Sequence, residues 1–454
     1  MSKSSIKSLV ILGAVMAMSA CSGSPSSNVT SFNSSYVSLS NESKLLRSPD
    51  GLDHSYTYEE YRDPNYKAFK VKLSAFANKI AEAFANREYK QNENIVISPF
   101  SIEMCIGLAV RSSDNQTRKE MLDALGVDFA TFNKYYKLFF NENSFESYDM
   151  DKKIEAQLLI TNSIWVDDGL HLKDGGLDAL RDDYYCYSYQ VDFDKENEQA
   201  CKDIQSFINQ KTKGLLNPDI ALDNNTLFVL MNTLYLKDIW MNDGSDLQYA
   251  DKSITFTNID KTVSDKQLLR SMFTSGKTLT TDDYTSFYTT TKHGISLHFI
   301  KPNEGKSVQT IFNKENMDYV LNRKNYVFKD DEKLERYYTN CIFPEFEVDS
   351  DLTLNTMFAQ DLGIQSLLNP TTCDFSSITT DVAYVSKITH LAKLKVNKTG
   401  VEGAAVTYME AAGAAGPDGY TDVYETFTVD KEFGFILSKG ENVLFSGIIT
   451  NIDK

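Results

Sequence analysis

The chain has little of what enzymes most often use. Among its 454 residues there are five histidines, His54, His171, His293, His298 and His390. It contains no G-x-S-x-G, H-E-x-x-H or G-x-x-x-x-G-K-[ST] pattern, so the common hydrolase, zinc-protease and nucleotide-binding signatures are missing. His293 and His298 would face opposite sides of one strand, which argues against a metal ion shared between them. We therefore predict a protein that is not an enzyme and that needs no metal or cofactor.

Cysteine is also scarce, and it follows no pattern. The six cysteines are Cys21, Cys105, Cys186, Cys201, Cys341 and Cys373, and no two of them form a C-x-x-C motif. The sequence therefore indicates neither a zinc site nor a redox pair. Cys105 and Cys341 lie in apolar segments and are predicted to be small core residues. Whether Cys186 and Cys201 form a disulfide is left open by the sequence.

Long apolar runs are absent after the N-terminus, so no transmembrane helix is predicted in the rest of the chain. Lys3 and Lys7 precede an apolar run at residues 9–18, which is too short to span a bilayer and is typical of a signal peptide. The following Ser19-Ala20-Cys21 resembles a bacterial lipobox. This predicts that residues 1–20 are removed and that Cys21 is lipidated; the alternative is an ordinary secretory signal with an incidental cysteine.

That reading places the protein in the bacterial cell envelope. Ser22 after the lipidated cysteine favours the outer membrane by resemblance to such lipoproteins, on the periplasmic or the cell-surface side. Without the lipid, the protein would be secreted. Residues 21–66 are rich in Ser and Asn and are predicted to be a lipid-anchored tether with no fold of its own.

Residues 67–454 have no Pro/Gly-rich linker and no repeat, so we predict a single large domain and a monomer. The formal net charge is −17, and loss of Lys3 and Lys7 makes it −19, which argues against nucleic acid as a partner. Periodicity predicts a helix over 67–88, a strand at 95–97 and a helix at 354–362. The nearly apolar run 227–236 predicts a central strand, and the segment from Phe433 predicts a hairpin.

The most unusual stretch runs from His390 to Tyr420. Residues 388–396 alternate as a strand does, and Asn397 to Gly400 have turn chemistry. The small residues that follow suit either a flexible Gly/Ala loop or a strand. As a strand, Val401, Gly403 and Ala405 would share one face, and Glu402 would lie on the other with Glu410. The charge-free face could then enter a sheet.

This stretch resembles the hinge of a serpin reactive-centre loop. The residues that carry the resemblance are His390, Val396, Asn397, Gly400, Glu402, Ala404, Ala405 and Thr407, whereas Lys398, Gly403 and Val406 depart from the family pattern. Four other segments resemble serpin motifs in the family's order: residues 94–102, residues 227–240 with Lys237 and Trp240, residues 374–376, and residues 431–451. The resemblance covers most of 67–454 and implies an α+β serpin fold. In that fold, helices pack around three β-sheets, and an exposed reactive-centre loop covers about 400–426.

The resemblance implies a suicide inhibitor that inserts its cleaved loop into the main sheet, with serine proteases as its targets and cysteine proteases as the alternative target class. The implied hinge residues are Gly400, Val401, Glu402, Gly403, Ala404, Ala405, Val406 and Thr407. Counting from Gly400 places the reactive bond at Ala414–Ala415, which suits an elastase-like protease. Because the loop is long, Tyr420 and a chymotrypsin-like target are the alternative. His390 and Trp240 are implied to be structural residues near the top of the main sheet.

A second function stays open at this point. The departures at Gly403 and Val406 would also fit a serpin-fold surface lipoprotein that does not inhibit proteases and instead binds a partner or ligand. Whether the cleaved loop inserts into the main sheet distinguishes the two functions, because an inhibitor requires insertion and a binding protein does not.

Overall fold

The computed structural model describes residues 7–16, 38–53, 55–90, 93–241, 247–271, 274–401 and 420–454. The chain forms two compact units. The first, unit 1, contains Met1–Ala77, Phe100–Leu236 and Ser350–Lys393. The second, unit 2, contains Asn78–Pro99, Lys237–Asp349 and Leu394–Lys454. Within the described ranges, no helix is both long enough and apolar enough to cross a membrane.

Helices dominate the first half of the described chain. They are α1 (Tyr58–Arg62), α2 (Pro64–Glu88), α3 (Pro99–Ser112), α4 (Asn115–Leu125), α5 (Phe129–Asn143), α6 (Asp174–Tyr184), α7 (Asn197–Lys211), α8 (Val308–Ile311) and α9 (Lys314–Leu321). Short 3-10 segments lie at Arg323–Asn325 and Ser366–Leu368, and a π-helical turn lies at Met357–Asp361. The predicted helix at 67–88 is confirmed by α2, and Gly363, with a φ of 75°, follows the turn at Met357–Asp361.

The strands alternate with these helices and dominate the second half. The first eleven are β1 (Lys7–Met16), β2 (Lys44–Arg47), β3 (Ile95–Ile97), β4 (Phe145–Tyr148), β5 (Ile154–Asp167), β6 (Cys186–Val191), β7 (Thr226–Ile239), β8 (Gln248–Tyr249), β9 (Leu269–Arg270), β10 (Thr274–Ser275) and β11 (Leu279–Thr280). The others are β12 (Tyr284–Thr290), β13 (Ile295–Pro302), β14 (Lys329–Asp330), β15 (Glu335–Phe343), β16 (Phe346–Thr353), β17 (Ala383–Asn397), β18 (Gly400–Val401), β19 (Thr421–Thr428), β20 (Phe433–Lys439) and β21 (Asn442–Ile449).

The strands form three sheets, as predicted for an α+β fold. The main sheet has the order β17, β18, β7, β5, β6, β2, with β16 paired to β17 and β4 paired to β5. The strand β1 pairs in parallel with both β7 and β17 and so lies between them. The other two sheets belong to unit 2: β10, β15, β9 and β8 with β14 and β19 paired to β15, and β11, β12, β13, β20, β21 and β3.

The predicted central strand is confirmed by β7, whose residues are buried almost throughout. Its apolar composition is needed because α7 covers one face of the main sheet in unit 1. Ile204, Phe207 and Ile208 of α7 share a buried cluster with Val229 and Met231 of β7. Burial of each side chain of this size stabilises the fold by about 1.5–3 kcal/mol, which accounts for the apolar residues on this face of β7. On the other face, Phe228 packs edge-on against Phe375, with ring centroids 4.9 Å apart.

The predicted hairpin at the C-terminus is also confirmed. β20 and β21 pair antiparallel around Gly440, whose φ of 61° favours glycine in the turn. The cysteines Cys105, Cys186, Cys201, Cys341 and Cys373 are all free thiols. Cys105 and Cys341 are buried, as expected for small core residues. Cys186 and Cys201 do not form a disulfide in this structure.

The prediction of a structureless tether up to residue 66 is wrong for its second half. Residues 38–53 lie against unit 1, and β2 pairs antiparallel with β6 at the edge of the main sheet. Ser40 and Ser43 donate side-chain hydrogen bonds to Asp203 of α7, both of 2.5 Å. The serines that suggested a disordered tether are therefore hydrogen-bond donors to a carboxylate that is 3% exposed. The folded body also begins before residue 67, since α2 starts at Pro64.

Candidate functional site

A tight turn joins β17 to β18 at the start of the predicted reactive-centre loop. The side-chain oxygen Oδ1 of Asn397 accepts hydrogen bonds from the Thr399 amide at 2.9 Å, the Thr399 hydroxyl at 2.6 Å and the Gly400 amide at 3.2 Å. An asparagine that bonds the backbone two and three residues ahead stabilises a turn locally. Val396 and Asn397 therefore end the strand β17, and the Asn397 side chain starts the turn.

Two neighbouring segments of unit 2 hold this turn in place. The indole Nε1 of Trp240 donates to the Asn397 carbonyl at 2.7 Å, and the Trp240 amide donates to the Thr399 carbonyl at 3.3 Å. Oε1 of Glu345 accepts from the Lys398 amide at 2.7 Å. Trp240 is 2% exposed and packs edge-on against Phe343, with ring centroids 5.6 Å apart. Trp240 thus supports the turn directly.

The strand β18 consists of the first two hinge residues, and it lies between β17 and β7. Gly400 pairs with Asn397 and Ile239, and Val401 pairs with Val396 and Asp238. A Cβ atom on Gly400 would lie 2.1 Å from the Asp238 carbonyl oxygen, far inside van der Waals contact. Val401 is fully buried. Glycine at residue 400 is therefore a packing requirement of this strand position, in addition to any role in the turn.

Asp238, which pairs with Val401 of β18, has a fully buried side chain that is hydrogen-bonded. Its carboxylate accepts from the Thr291 hydroxyl at 2.5 Å and lies 2.7 Å from Nδ1 of His293. Burial raises the pKa of this carboxyl, while the hydrogen bonds from Thr291 and His293 oppose that rise. Sequence reasoning missed Asp238, because its partners Thr291 and His293 lie 53 and 55 residues away in the chain.

The loop re-enters the described chain at Tyr420, which leads into β19. The Tyr420 hydroxyl donates to Asp331 at 2.6 Å, and Nζ of Lys329 lies 3.7 Å from the centre of the Tyr420 ring. β19 then pairs in parallel with β15, from Thr421 opposite Glu335 to Thr428 opposite Ile342. The loop is thus anchored in unit 2 at both ends, by β18 before it and by β19 after it.

Most of the predicted loop lies outside the described residues. Gly400 and Val401 are described, whereas Glu402, Gly403, Ala404, Ala405, Val406 and Thr407 are outside the described residues. The same holds for the predicted reactive bond, Ala414–Ala415, and for Cys21. These assignments remain predictions.

A polar network crosses the middle of the main sheet in unit 1. The Ser101 hydroxyl donates to Asn232 at 2.6 Å, and Asn232 donates to Asn162 at 2.9 Å. Asn162 in turn donates to the Tyr136 hydroxyl at 2.9 Å and to the Tyr184 carbonyl at 2.8 Å. These groups are buried, so each bond avoids the cost of an unsatisfied polar atom. The amide of Asn232 within an otherwise apolar strand was the signal for this network in the sequence.

The predicted position of His390 at the top of the sheet is wrong. His390 and Asn232 are both opposite Gly13 of β1, so His390 lies at mid-strand, whereas Trp240 follows the last residue of β7. His390 is fully buried, and burial lowers its pKa to about 3. A histidine with that pKa is a poor general base at neutral pH. Its burial fits a structural residue.

In the described part of the chain, three carboxylates lie close enough to hold a cation: Asp167, Asp168 and Asp192. The oxygens of Asp167 already accept hydrogen bonds from the Gly169 amide at 3.0 Å and the Phe193 amide at 2.9 Å. These bonds account for the burial of Asp167 without an ion.

Comparison with known proteins gives a consistent result. The family model described as Serpin (serine protease inhibitor) matches residues 72–452. Serine protease inhibitor 88Ea of Drosophila melanogaster is 23% identical over 382 residues, which is 80% of this chain and 86% of the relative. Leukocyte elastase inhibitor of Homo sapiens is 24% identical over 372 residues, which is 78% of this chain and 92% of the relative.

Solved structures share the fold. Native tengpin, a thermophilic serpin, matches with a TM-score of 0.68 and 18% identity, covering 90% of this chain and all of tengpin. Human thyroxine-binding globulin matches with a TM-score of 0.67 and 20% identity, covering 86% of this chain and 99% of the globulin. At these identities the likeness establishes the fold alone.

Proposed function

Because the chain belongs to the serpin family, we propose that it is a suicide inhibitor of serine proteases that works by inserting its cleaved loop into the main sheet. The observation that carries this proposal is β18. Its residues Gly400 and Val401 already form the first two positions of a strand between the ends of β17 and β7. A chain released beyond Val401 would continue that strand.

The chemistry is supplied by the target. The serine hydroxyl of the protease attacks the Ala414 carbonyl, the Ala414–Ala415 bond breaks, and the amine of Ala415 leaves with the proton that the serine gave up. Ala414 is then an ester on the protease. Hydrolysis of this ester by water would free both proteins, so inhibition requires that insertion after Val401 be faster than hydrolysis. Each inserted residue adds ladder hydrogen bonds and buries side chains, which drives the reaction forward.

Position in the loop favours Ala414 over Tyr420 as the scissile residue, because Ala414 lies fourteen positions after Gly400, as the family resemblance implies. The small side chain of Ala414 suits the shallow specificity pocket of an elastase-like protease. Tyr420, by contrast, already contacts Asp331 and Lys329 and lies directly before β19. A protease would have to break those contacts to accept Tyr420 in its pocket. We propose an elastase-like target, with cysteine proteases that accept small residues as a secondary class.

Processing at the N-terminus belongs to the same proposal. In the full chain, β1 lies between β7 and β17, which is where a longer strand from the loop would go. Cleavage before Cys21 would remove β1 and leave that position vacant. Lipidation of Cys21 would anchor the protein to the outer membrane through residues 22–37. Those residues can extend to roughly 55 Å before the chain reaches Ser38.

The proposal is tested by incubating the processed protein with a small panel of proteases that includes an elastase and a chymotrypsin-like enzyme. We expect a complex with the elastase that resists SDS, together with a released C-terminal peptide that begins at Ala415. A peptide that begins at Thr421 would instead identify Tyr420 as the scissile residue. A cleaved chain beside a fully active protease, for every member of the panel, would contradict inhibition and favour a serpin-fold protein that binds a ligand or partner.

A further inference from the structure

The N-terminal leader, residues 1–20, supplies a complete strand to the interior of the main sheet in unit 1. Its segment Lys7–Met16 forms β1, which pairs in parallel with β7 on one side and with β17 on the other. From Ser8 to Val15, every residue of β1 has a partner in both neighbours. Because an interior strand can bond its backbone in both directions, β1 closes the sheet between β7 and β17.

The composition of the leader suits an interior strand. Residues 8–16 carry no charged side chain, and Val10, Ile11 and Val15 among them are β-branched. β-branched residues favour strands, and a strand without charges can be covered on both faces. The apolar run that predicts a signal peptide therefore also meets the requirements of the sheet interior.

The residues beside β1 are buried. The register places Ile11 opposite Leu230 of β7 and Ile388 of β17, which are 0% and 2% exposed. Two residues further on, Gly13 is opposite the buried polar residues Asn232 and His390. Residues opposite each other in register share a face of the sheet, so Gly13 places no side chain between these two. The sequence of β1 is therefore compatible with both neighbouring strands.

The inserted loop needs the position that β1 occupies. Val401 of β18 pairs antiparallel with the ends of β7 and β17. If that register continues, Ala405 comes to lie opposite Leu234 and Ala392. Those two residues are the partners of Val15 in β1. The leader and the inserted loop therefore exclude each other after the first few inserted residues.

We propose that the leader is an autoinhibitory strand, so that a precursor that folds before processing does not inhibit proteases. This inference rests on the proposed inhibitory function. A protease can cut the loop of the precursor, but the cut segment has no vacant strand position to enter. Water then hydrolyses the ester, which frees the Ala414 carboxylate and restores the serine hydroxyl of the protease. Removal of residues 1–20 vacates the position, so inhibition begins with the processed protein.

The test compares two proteins that both carry Cys21→Ser, which removes the lipidation site. One is the full chain, which keeps the leader, and the other begins at residue 21; mass spectrometry verifies each N-terminus. With an elastase, the rate constant for formation of the SDS-resistant complex should be at least about a hundredfold lower for the full chain, because only molecules with a vacant position can insert the loop. The full chain should instead be cleaved as a substrate.

Ile11→Asp in the full chain tests where the leader acts. A carboxylate opposite Leu230 and Ile388 would be buried without a partner, so β1 should leave the sheet and the rate constant should return to within about threefold of that of the processed protein. Ser5→Asp is the matched control, because it adds the same charge outside β1 and should leave the full chain inert. Neither substitution endangers the folded body, since the processed protein lacks both residues.

Amide hydrogen exchange gives a readout that does not depend on inhibition. The amides from Ser8 to Val15 should exchange at least about a hundredfold more slowly in the full chain than in its Ile11→Asp variant. Equal rates of complex formation by the full chain and the processed protein would overturn the inference and leave the inhibitory function standing. A full chain that stays slow after Ile11→Asp would also overturn it, because the leader would then act outside the sheet.

Failure of the inhibitory function has a different signature. In that case neither protein forms a complex with any protease of the panel. Slow exchange from Ser8 to Val15 would then still support occupation of the strand position by the leader, and fast exchange would overturn it.

Discussion

Two short segments join the main sheet as strands, and they do so in different ways. In unit 1, β2 adds to the outer edge of β6, which is its one strand partner among the described residues. In unit 2, β18 enters between the ends of β17 and β7 and has a partner on each side. The sequence made both look like connecting segments, since one is Ser/Asn-rich and the other follows a turn.

The difference shows what each position demands of its side chains. At the edge, Leu45 remains 50% exposed, and Arg47 reaches Asp178 at 2.8 Å, so large side chains are accommodated. Between two strands, Gly400 has no room for a Cβ atom and Val401 is fully buried. An edge strand can be held by side chains outside the sheet, whereas an interior strand must be small and apolar on the face that packs. The Gly/Ala-rich composition after Val401 suits the interior position.

The largest expected effect is at Val401. Val401→Arg would place a charge on the buried face of β18, where no water can solvate it. Complex formation with the target protease should fall by at least about a hundredfold, and the loop should be cleaved as an ordinary substrate. Val382→Arg, at a position that is 70% exposed, is the control and should inhibit normally. Inhibition by Val401→Arg would show that an apolar, buried residue at this position of β18 is not needed for insertion of the loop.

Gly400→Ala should have the next largest effect. The new methyl group would overlap the Asp238 carbonyl oxygen, so β18 or the end of β7 must shift. We expect the free energy of unfolding to fall by about 1–3 kcal/mol, measured by denaturant titration. Gly175→Ala is a matched control, since a Cβ atom there would meet nothing within 4 Å. Equal stability of Gly400→Ala and Gly175→Ala would mean that the interior strand β18 has room for a side chain at residue 400, as the edge strand β2 has for Leu45.

At the edge strand, Asp203→Asn should have a smaller effect. Oδ1 of Asp203 accepts hydrogen bonds from the Ser40 amide and Gln199, and Oδ2 accepts from the hydroxyls of Ser40 and Ser43. The amide nitrogen that replaces one of these oxygens in asparagine cannot accept a hydrogen bond. We expect a loss of about 1–2 kcal/mol and faster proteolysis within residues 38–47. Glu198→Gln changes an exposed carboxylate on the same helix and should leave both measurements unchanged. Unaltered proteolysis in Asp203→Asn would mean that β2 is held by its backbone pairing alone.

The smallest effect is expected at Asp53, near the end of the same segment. Hydrogen bonds from Ser55 lower the pKa of this carboxyl, with a further contribution from Lys137. Because the folded-state pKa is below the unfolded value, Asp53 stabilises the protein above about pH 4, and this contribution disappears as the pH falls below that. Asp53→Asn should therefore be slightly less stable than the unsubstituted protein at pH 7 and equal to it near pH 2. A difference that persists at low pH would assign the effect to packing.

The regular elements could be predicted from the sequence because each has a strong periodic or apolar pattern. The helix α2, the strand β7 and the hairpin of β20 and β21 were all found in this way. The turn from Asn397 to Gly400 was found from its residue chemistry, because an asparagine side chain and the amides that it bonds are close in sequence. These features depend on neighbours along the chain.

The features that sequence reasoning missed depend on partners far along the chain. Ser40 and Ser43 bond Asp203, 163 and 160 residues away, so their composition alone indicated disorder. The support of β18 by Asp238, Thr291 and His293 joins segments more than 50 residues apart. The position of His390 at mid-strand follows from strand register, which alternation of apolar residues does not determine. Long-range pairing was therefore the part that required the structure.

The central claim is that the chain after Val401 can continue β18 into the main sheet. Its most direct test uses the processed protein, which begins at Cys21 and therefore lacks β1: the loop is cut with a protease that does not form a complex, and the thermal unfolding of the cut and intact proteins is compared. The cut protein should unfold at a temperature higher by roughly 10 °C or more, because each additional kcal/mol raises the midpoint by about 2 °C in a large domain. An unchanged or lower unfolding temperature would show that the freed segment stays outside the sheet and would contradict the inhibitory mechanism.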